Sequence, residues 1–296
     1  MEFWLQQSIN GIVLGSVYAL YASGFGLVMS SLRIFHVAHA AVFTWGAVVA
    51  WQLTTDLGWP LISSVPLIML AAGLLNVAAY WLLIRHLMGR PGNELAAFIS
   101  SMGGLIVLTE LADLKLGGTV TRMPADAFPV KPLSLGPIRV TTLQLTMVIV
   151  SVALIAGIAW ALARTQVGRE VRTVAFDRRT AALLGVNVDR LSSAVFFVSG
   201  ALAGLAASLV AMAFNVVSAD LGSTYLVIAL AAMVVGGFGR VWGALVGGLL
   251  VGLASTYATG YLDSSYRDLV VFALLLGFLV VRPQGLFRDR TQLTRV

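Results

Sequence analysis

Residues 141–163 read TTLQLTMVIVSVALIAGIAWALA, residues 164–190 read RTQVGREVRTVAFDRRTAALLGVNVDR, and residues 191–213 read LSSAVFFVSGALAGLAASLVAMA. The outer two stretches hold 23 residues each and contain no Asp, Glu, Lys or Arg. At the rise of an α-helix each extends about 35 Å, enough to cross the hydrocarbon of a bilayer. Between them lie six Arg and three acids, Glu170, Asp177 and Asp189. Two crossings joined by a basic connector set the fold class: an all-α, polytopic membrane protein.

The rest of the chain has the same character. Of 296 residues, 59% are hydrophobic and 11% charged, with a mean hydropathy of +0.92. A soluble domain carries about 25% charged residues, so an ordinary soluble enzyme is excluded. Apolar runs fall at 9–30, 38–55, 60–84, 93–115, 141–163, 191–213, 223–238, 241–258 and 267–281. They predict about nine crossings, within a range of eight to ten, in one membrane-spanning domain over residues 1–296. The runs are continuous rather than alternating, which excludes a β-barrel. The start carries Glu2 and no basic stretch, so the first run reads as a retained helix rather than a cleaved leader. With the N-terminus outside, 14 of the 19 Lys and Arg fall on the inner side and 5 on the outer. The positive-inside rule favours that orientation, with a cytoplasmic C-terminus. The net charge of +6 therefore marks inner loops, and no aromatic-interleaved basic patch suggests nucleic acid.

Two connectors are long. Residues 116–140 carry Gly117, Gly118, Pro124, Pro129, Pro132 and Pro137 and predict an ordered outer loop without helix. Residues 164–190 differ. Val171, Val174 and Ala175, followed by Ala181, Leu183, Leu184 and Gly185, predict a short amphipathic helix pair ending at a glycine cap. On residues alone, an anchor on anionic lipid and a docking element for a cytoplasmic partner fit equally.

Gly11 with Gly15, Gly200 with Gly204, Gly243 with Gly247, and Gly248 with Gly252 each place glycine at i, i+4 on one helix face. Such faces let backbones approach closely in lipid, within a chain or between copies. One internal similarity appears at an offset of 207. Gly15-Ser16-Val17-Tyr18 matches Gly222-Ser223-Thr224-Tyr225, and Arg33 matches Arg240. Such a match fits either compositional bias or a trace of duplicated halves, an arrangement many transporters use.

Intramembrane polar groups are candidates for function. His36 and His39, two of the three His in the chain, lie i, i+3 between the first two runs. No Cys or nearby acid completes a metal site around them. They either satisfy backbone where two helices meet or border a pathway. Asn10, Asn76 and Asn215 read as interhelical hydrogen-bonding groups. Glu110 and Asp113 fall near the outer end of the fourth run. No acid sits at mid-membrane, which counts against a proton-driven carrier. The P-loop, the nucleophile elbow and the zinc-protease helix motif are absent, so no enzyme activity and no bound cofactor are expected. Zero Cys excludes disulfides.

From these residues a resemblance follows. Gln7-Ser8-Ile9-Asn10-Gly11 through Gly15-Ser16-Val17-Tyr18-Ala19-Leu20 is similar to the first helix of the permease subunits of ABC importers for branched-chain, or hydrophobic, amino acids. The chain looks closest to the shorter of the two permeases usually paired in these systems. Phe35-His36-Val37-Ala38-His39-Ala40 resembles that family's Ile-Asn-Phe-Ala-His-Gly, departing at His36 and Ala40. Thr165 to Arg190 resembles its ATPase-docking loop. Val235-Gly236-Gly237-Phe238-Gly239-Arg240-Val241-Trp242-Gly243-Ala244 and Arg282-Pro283-Gln284-Gly285-Leu286-Phe287 complete the match, with Arg240 in place of a small polar residue.

The resemblance implies a non-enzymatic subunit of a bacterial inner membrane. Its partners would be ATP-hydrolysing subunits, a second permease and a periplasmic substrate-binding protein, with ATP consumed by the partners. It implies ATPase docking through Gly168, Arg169, Arg172, Arg178, Arg179, Gly185 and Asn187. Asn10, Tyr18, His36 and His39 are the candidates for the substrate pathway. The departures leave room for urea or short amides as cargo. The rival class is a stand-alone carrier or channel for a small solute.

Overall fold

The computed structural model describes residues 2–88, 93–135, 138–237, 241–282 and 284–287. Arg240, Phe238, Gly239, Pro137 and Pro283, singled out above, lie outside them.

Eleven α-helices occur among the described residues: α1 (Glu2–Leu32), α2 (His39–Thr55), α3 (Leu61–Ala79), α4 (Asn93–Leu116), α5 (Thr142–Arg164), α6 (Gln166–Phe176), α7 (Arg178–Leu183), α8 (Val188–Phe214), α9 (Leu221–Gly236), α10 (Val241–Tyr261) and α11 (Tyr266–Val281). Each of the nine apolar runs coincides with one helix. Six of the helical stretches, including α3 with its extension to Leu87, are long and apolar enough to span a bilayer; α9 is shorter. The chain is therefore a multi-pass, all-α membrane protein. Beyond α3 the helix widens into a π turn over Tyr80–Ile84 and tightens into a 3₁₀ turn over Arg85–Leu87.

The outer connector differs from expectation in one respect. Strands β1 (Pro132–Leu135) and β2 (Ile138–Thr141) pair antiparallel, with Leu133 opposite Val140. Pro132 stands at the first position of its strand, where the missing N–H costs no ladder bond. Upstream, the connector is clamped. Thr121 bridges Val217, Leu61 N donates to Ala127 O at 2.7 Å, and Met123 and Phe128 are buried.

The chain divides into two compact units, with boundaries inside α1, α5 and α9. The unit of residues 27–129 and 160–226 is built on α2, α3 and α8. Glycine sets their spacing. A Cβ on Gly46 of α2 would stand 2.4 Å from Gly204 Cα of α8, and one on Gly200 would stand 2.5 Å from Ala72 O of α3. At such distances the backbones themselves are in contact, and dispersion across the smooth faces holds the helices together. α4, by contrast, turns apolar side chains outward; Leu114 is 75% exposed, as suits a lipid-facing surface.

The unit of residues 1–26, 130–159 and 227–296 holds most of α1, the hairpin, most of α5, the end of α9, α10 and α11. Here Gly15 and Gly252 meet: a Cβ on Gly252 would lie 2.3 Å from Gly15 Cα. The glycine faces picked out in the sequence thus serve packing within the chain.

Candidate functional site

The connector over 164–190 forms two short helices, each ended by local chemistry. Thr165 caps α6: its Oγ1 accepts from Gly168 N at 3.3 Å. Asp177 closes α6 and opens α7, accepting from Thr180 N at 2.5 Å. Those hydrogen bonds from Thr180 hold the Asp177 carboxyl below the ordinary carboxylate range. α7 stops in a Schellman motif. Gly185 takes φ +85°, Gly185 N donates to Ala182 O, and Val186 N reaches back to Ala181 O. Asn187 then caps α8 by accepting from Arg190 N at 3.0 Å. Gly168 answers a different need: a Cβ there would fall 2.1 Å from Leu162 O. Only glycine lets α6 start so close to the last turn of α5.

The pair has an inner and an outer face. Val171, Val174 and Ala181 are buried in an apolar cluster with Leu27, Val28, Leu32, Ile34, Ile84, Leu191 and Phe196. Outside stand three large apolar residues, Phe176 (74% exposed), Leu183 (83%) and Leu184 (72%). Arg169 and Arg179 are exposed beside them. A cavity of about 260 Å³ opens between Gln166, Arg169, Glu170, Thr173, Leu184 and Val186. Three bulky apolar side chains flanked by exposed cations suit a protein partner that supplies acids and an apolar recess.

Two of the arginines assigned to docking face their own chain. Arg172 Nη1 donates to Leu162 O, and Arg178 donates to Leu32 O and to Met88 Sδ. Each places a cation on the unsatisfied carbonyls at a helix C-terminus, where the helix dipole favours positive charge. The sequence also concealed the partner of Asp189. Its carboxylate takes both Nε and Nη2 of Arg85, at 3.1 and 2.8 Å, and the Arg85 guanidinium stacks 3.9 Å above the Trp81 ring. This pair is half-exposed and contributes at most about 1 kcal/mol; its value lies in aligning the start of α8 with the 3₁₀ turn that extends α3.

Arg33 ends α1 in the left-handed region, φ +55°, and residues 33–38 run without helix to α2. His36 within this break and His39 at the start of α2 are fully buried, with rings 6.3 Å apart. Asn76 Nδ2 donates to Phe196 O at 2.7 Å, which turns Asn76 Oδ1 toward His36 Nε2, 2.9 Å away. His36 therefore donates from Nε2, and its buried Nδ1 has no hydrogen-bond partner among the described residues. Its ring packs edge-on to Phe196, 5.0 Å between centroids. His39 Nδ1 lies 3.5 Å from Ser199 Oγ. Ser101 Oγ receives Val37 N at 3.1 Å. The break is thus held by side chains of α3, α4 and α8, as interhelical hydrogen bonding requires where backbone leaves the helix inside a membrane protein.

Asn10 and Tyr18 belong to the other unit. Asn10 Oδ1 accepts from Gln6 Nε2 and Gln144 Nε2, both at 3.3 Å, joining α1 to α5. Gln6 also exchanges two bonds with the Arg139 backbone of β2, at 2.9 and 3.0 Å. The Tyr18 hydroxyl, buried, accepts from Arg267 Nη2 at the start of α11. Asn215 caps the end of α8 in the left-handed region, φ +53°.

Comparison with known proteins follows the same lines. A family described as "Branched-chain amino acid transport system / permease component" matches residues 7–279. The high-affinity branched-chain amino acid transport system permease protein BraD of Pseudomonas aeruginosa is 32% identical over 293 residues, covering 96% of this chain and 95% of that protein. The corresponding permease protein LivH of Escherichia coli strain K12 is 31% identical over 297 residues, with the same coverage. The ribose import permease protein RbsC of Haemophilus influenzae is more distant, at 26% identity over 92% of this chain and 80% of its own. Among solved structures, PsaBC from Streptococcus pneumoniae in complex with Fab shares the fold at a TM-score of 0.50 and 16% identity, covering 93% of this chain and 91% of that one. With a family match over residues 7–279 and 31–32% identity to two such permeases over 96% of its length, the chain belongs to the permease components of branched-chain amino acid transport systems.

Proposed function

We propose that the chain is the membrane-spanning permease subunit of an ABC importer that moves branched-chain or other hydrophobic amino acids inward by alternating access. The observation that carries this reading is the identity of 31–32% with two branched-chain amino acid permeases over 96% of the chain. The physical arrangement agrees with it. The α6–α7 pair presents Phe176, Leu183 and Leu184 with Arg169 and Arg179, a surface suited to an ATP-hydrolysing partner in the cytoplasm.

In this reading the chain is not itself an enzyme and binds no cofactor; ATP is consumed by the partner subunits. It crosses a bacterial inner membrane about nine times, with the N-terminus outside and the C-terminus inside. It pairs with a second permease and receives substrate from a periplasmic binding protein. His36 and His39 support the break after α1, and Asn10 and Tyr18 support the α1–α5–α11 side of the other unit. Motion at those supports would open and close the path.

The test is purification of the complex in mild detergent from its native membrane, with the co-purifying chains identified by mass. A P-loop ATPase and a second permease are expected. A chain that emerges alone, and stays alone after gentle crosslinking, overturns the importer reading in favour of a stand-alone carrier.

A further inference from the structure

The six arginines of residues 164–190 look alike in sequence, yet they divide in space. Arg169, Arg179 and Arg190 are exposed, whereas Arg178 is partly buried. Its Nη2 donates to Leu32 O and its Nη1 to Met88 Sδ. Leu32 is the last residue of α1, and its carbonyl is one of those a helix cannot satisfy internally. One residue later the backbone turns into the left-handed region at Arg33, and four residues later stands His36. Arg178 therefore grips the chain at the point where α1 gives way to the non-helical break.

The packing follows the same line. Val171, Val174 and Ala181 on the helix pair share one apolar cluster with Leu32, Ile34 and Phe196. The Phe196 ring touches His36, and its carbonyl receives Asn76. A guanidinium fork and a close-packed core thus join the α6–α7 pair to the 33–38 break, all inside one compact unit. Close-packed groups move together rather than deform independently.

We infer that Arg178 is a positioning residue that ties the α6–α7 pair to the end of α1, so that displacement of the pair carries residues 33–38 with it. Arg169 and Arg179 are left to meet the ATPase. The inference rests on the importer reading above. It assigns to Arg178 the transmission of movement rather than attachment of the partner.

The two roles separate by measurement. The assembled importer is reconstituted in vesicles with its binding protein, and ATP hydrolysis and uptake of labelled leucine are followed together. Arg178→Gln is expected to keep the ATPase bound through purification and to keep hydrolysing ATP, while ATP spent per leucine taken up rises about fivefold or more. Arg178→Lys, with one flexible point of attachment in place of a planar fork, is expected to fall between Gln and the natural residue. Arg179→Glu is expected to loosen the ATPase instead. Release of the ATPase by Arg178→Gln, or an unchanged ratio of ATP to leucine, overturns the inference. If Arg178→Gln does not fold into a complex, Arg178→Lys decides: an intermediate ratio supports the tie and an unchanged one refutes it. Failure of the importer reading itself would show differently, as an unmodified chain that recruits no ATPase and takes up no leucine.

Discussion

At the scale of single residues, the sequence singled out polar groups by their rarity, and the fold shows what each is for. Asn76 serves two partners at once, His36 and the Phe196 carbonyl. Asn76→Leu would strand the buried His36 donor and remove a second bond from the Phe196 carbonyl, which keeps its own helix bond. Such an orphan costs about 1–3 kcal/mol, so the purified variant should unfold at a clearly lower temperature. An unchanged transition would mean that His36 finds another partner. Asp177 is tied to pH. Its folded-state carboxyl titrates below the ordinary value because Thr180 donates to it. Its contribution is therefore complete above the usual carboxylate pKa of about 3.9, and disappears as pH falls through the depressed value. Protection of the Thr180 and Ala181 amides from exchange, taken relative to the intrinsic rate at each pH, should be high at neutral pH and lower in acid. Asp177→Asn should weaken that pH dependence.

At the scale of elements, helices and caps were legible and side-chain direction was not. Nine apolar runs became helices because inside a bilayer a backbone must satisfy its own hydrogen bonds. Gly185 announced the end of α7 through the one residue type that takes a positive φ without strain. The hairpin was missed although its signal was present. Leu133-Ser134-Leu135 and Ile138-Arg139-Val140 alternate, but the surrounding prolines and glycines suggested irregular structure. The direction of Arg178 left no trace in the sequence, because its partner is a backbone carbonyl 146 positions away. Glycine spacing was legible as close packing, but not as to which helix it faced. The duplicated Gly-Ser-x-Tyr shows why. Gly15 of α1 packs on Gly248 and Leu249 of α10, while Gly222 of α9 packs on Ala40 of α2. At the offset of 207, α10 corresponds to α2, so each copy's first helix packs on the second helix of the other copy. Glycines in open space provide the control: a Cβ at Gly157 of α5 meets nothing within 4 Å. Gly46→Ala should therefore destabilise by about 1–3 kcal/mol through overpacking. Gly157→Ala should be neutral or stabilise its helix by up to about 1 kcal/mol. Thermal unfolding of the two variants side by side checks the contrast, and equal losses would refute the packing account of Gly46.

At the scale of the whole molecule, the inference from apolar helices to an importer depends on which face of the membrane each connector occupies. The basic connector must lie where ATP is, and the β-hairpin must lie where the substrate arrives. Charge supports that assignment, with 14 of 19 Lys and Arg on the proposed inner side. The chain has no Cys, so a single introduced thiol reports its own location without further engineering. Arg179 on α7 and Lys131 before β1 are both exposed, and neither side chain makes a hydrogen bond among the described residues. Arg179→Cys and Lys131→Cys should both label with a membrane-impermeant maleimide, but from opposite sides. In intact cells whose outer membrane is permeabilised, Lys131→Cys should react and Arg179→Cys should not. In inside-out vesicles the pattern should reverse. Labelling of both from one side would place an even number of crossings, or none at all, between the two connectors in place of the single crossing of α5. If that side is the outer one, it would also detach the α6–α7 pair from the cytoplasm, and with it the whole argument for a partner ATPase. Opposite labelling fixes α5 as a crossing, since it is the helix that joins the two positions. The count of nine would then rest on repeating the same thiol test at the remaining connectors, beginning with Asp263 between α10 and α11, which the proposed orientation places outside.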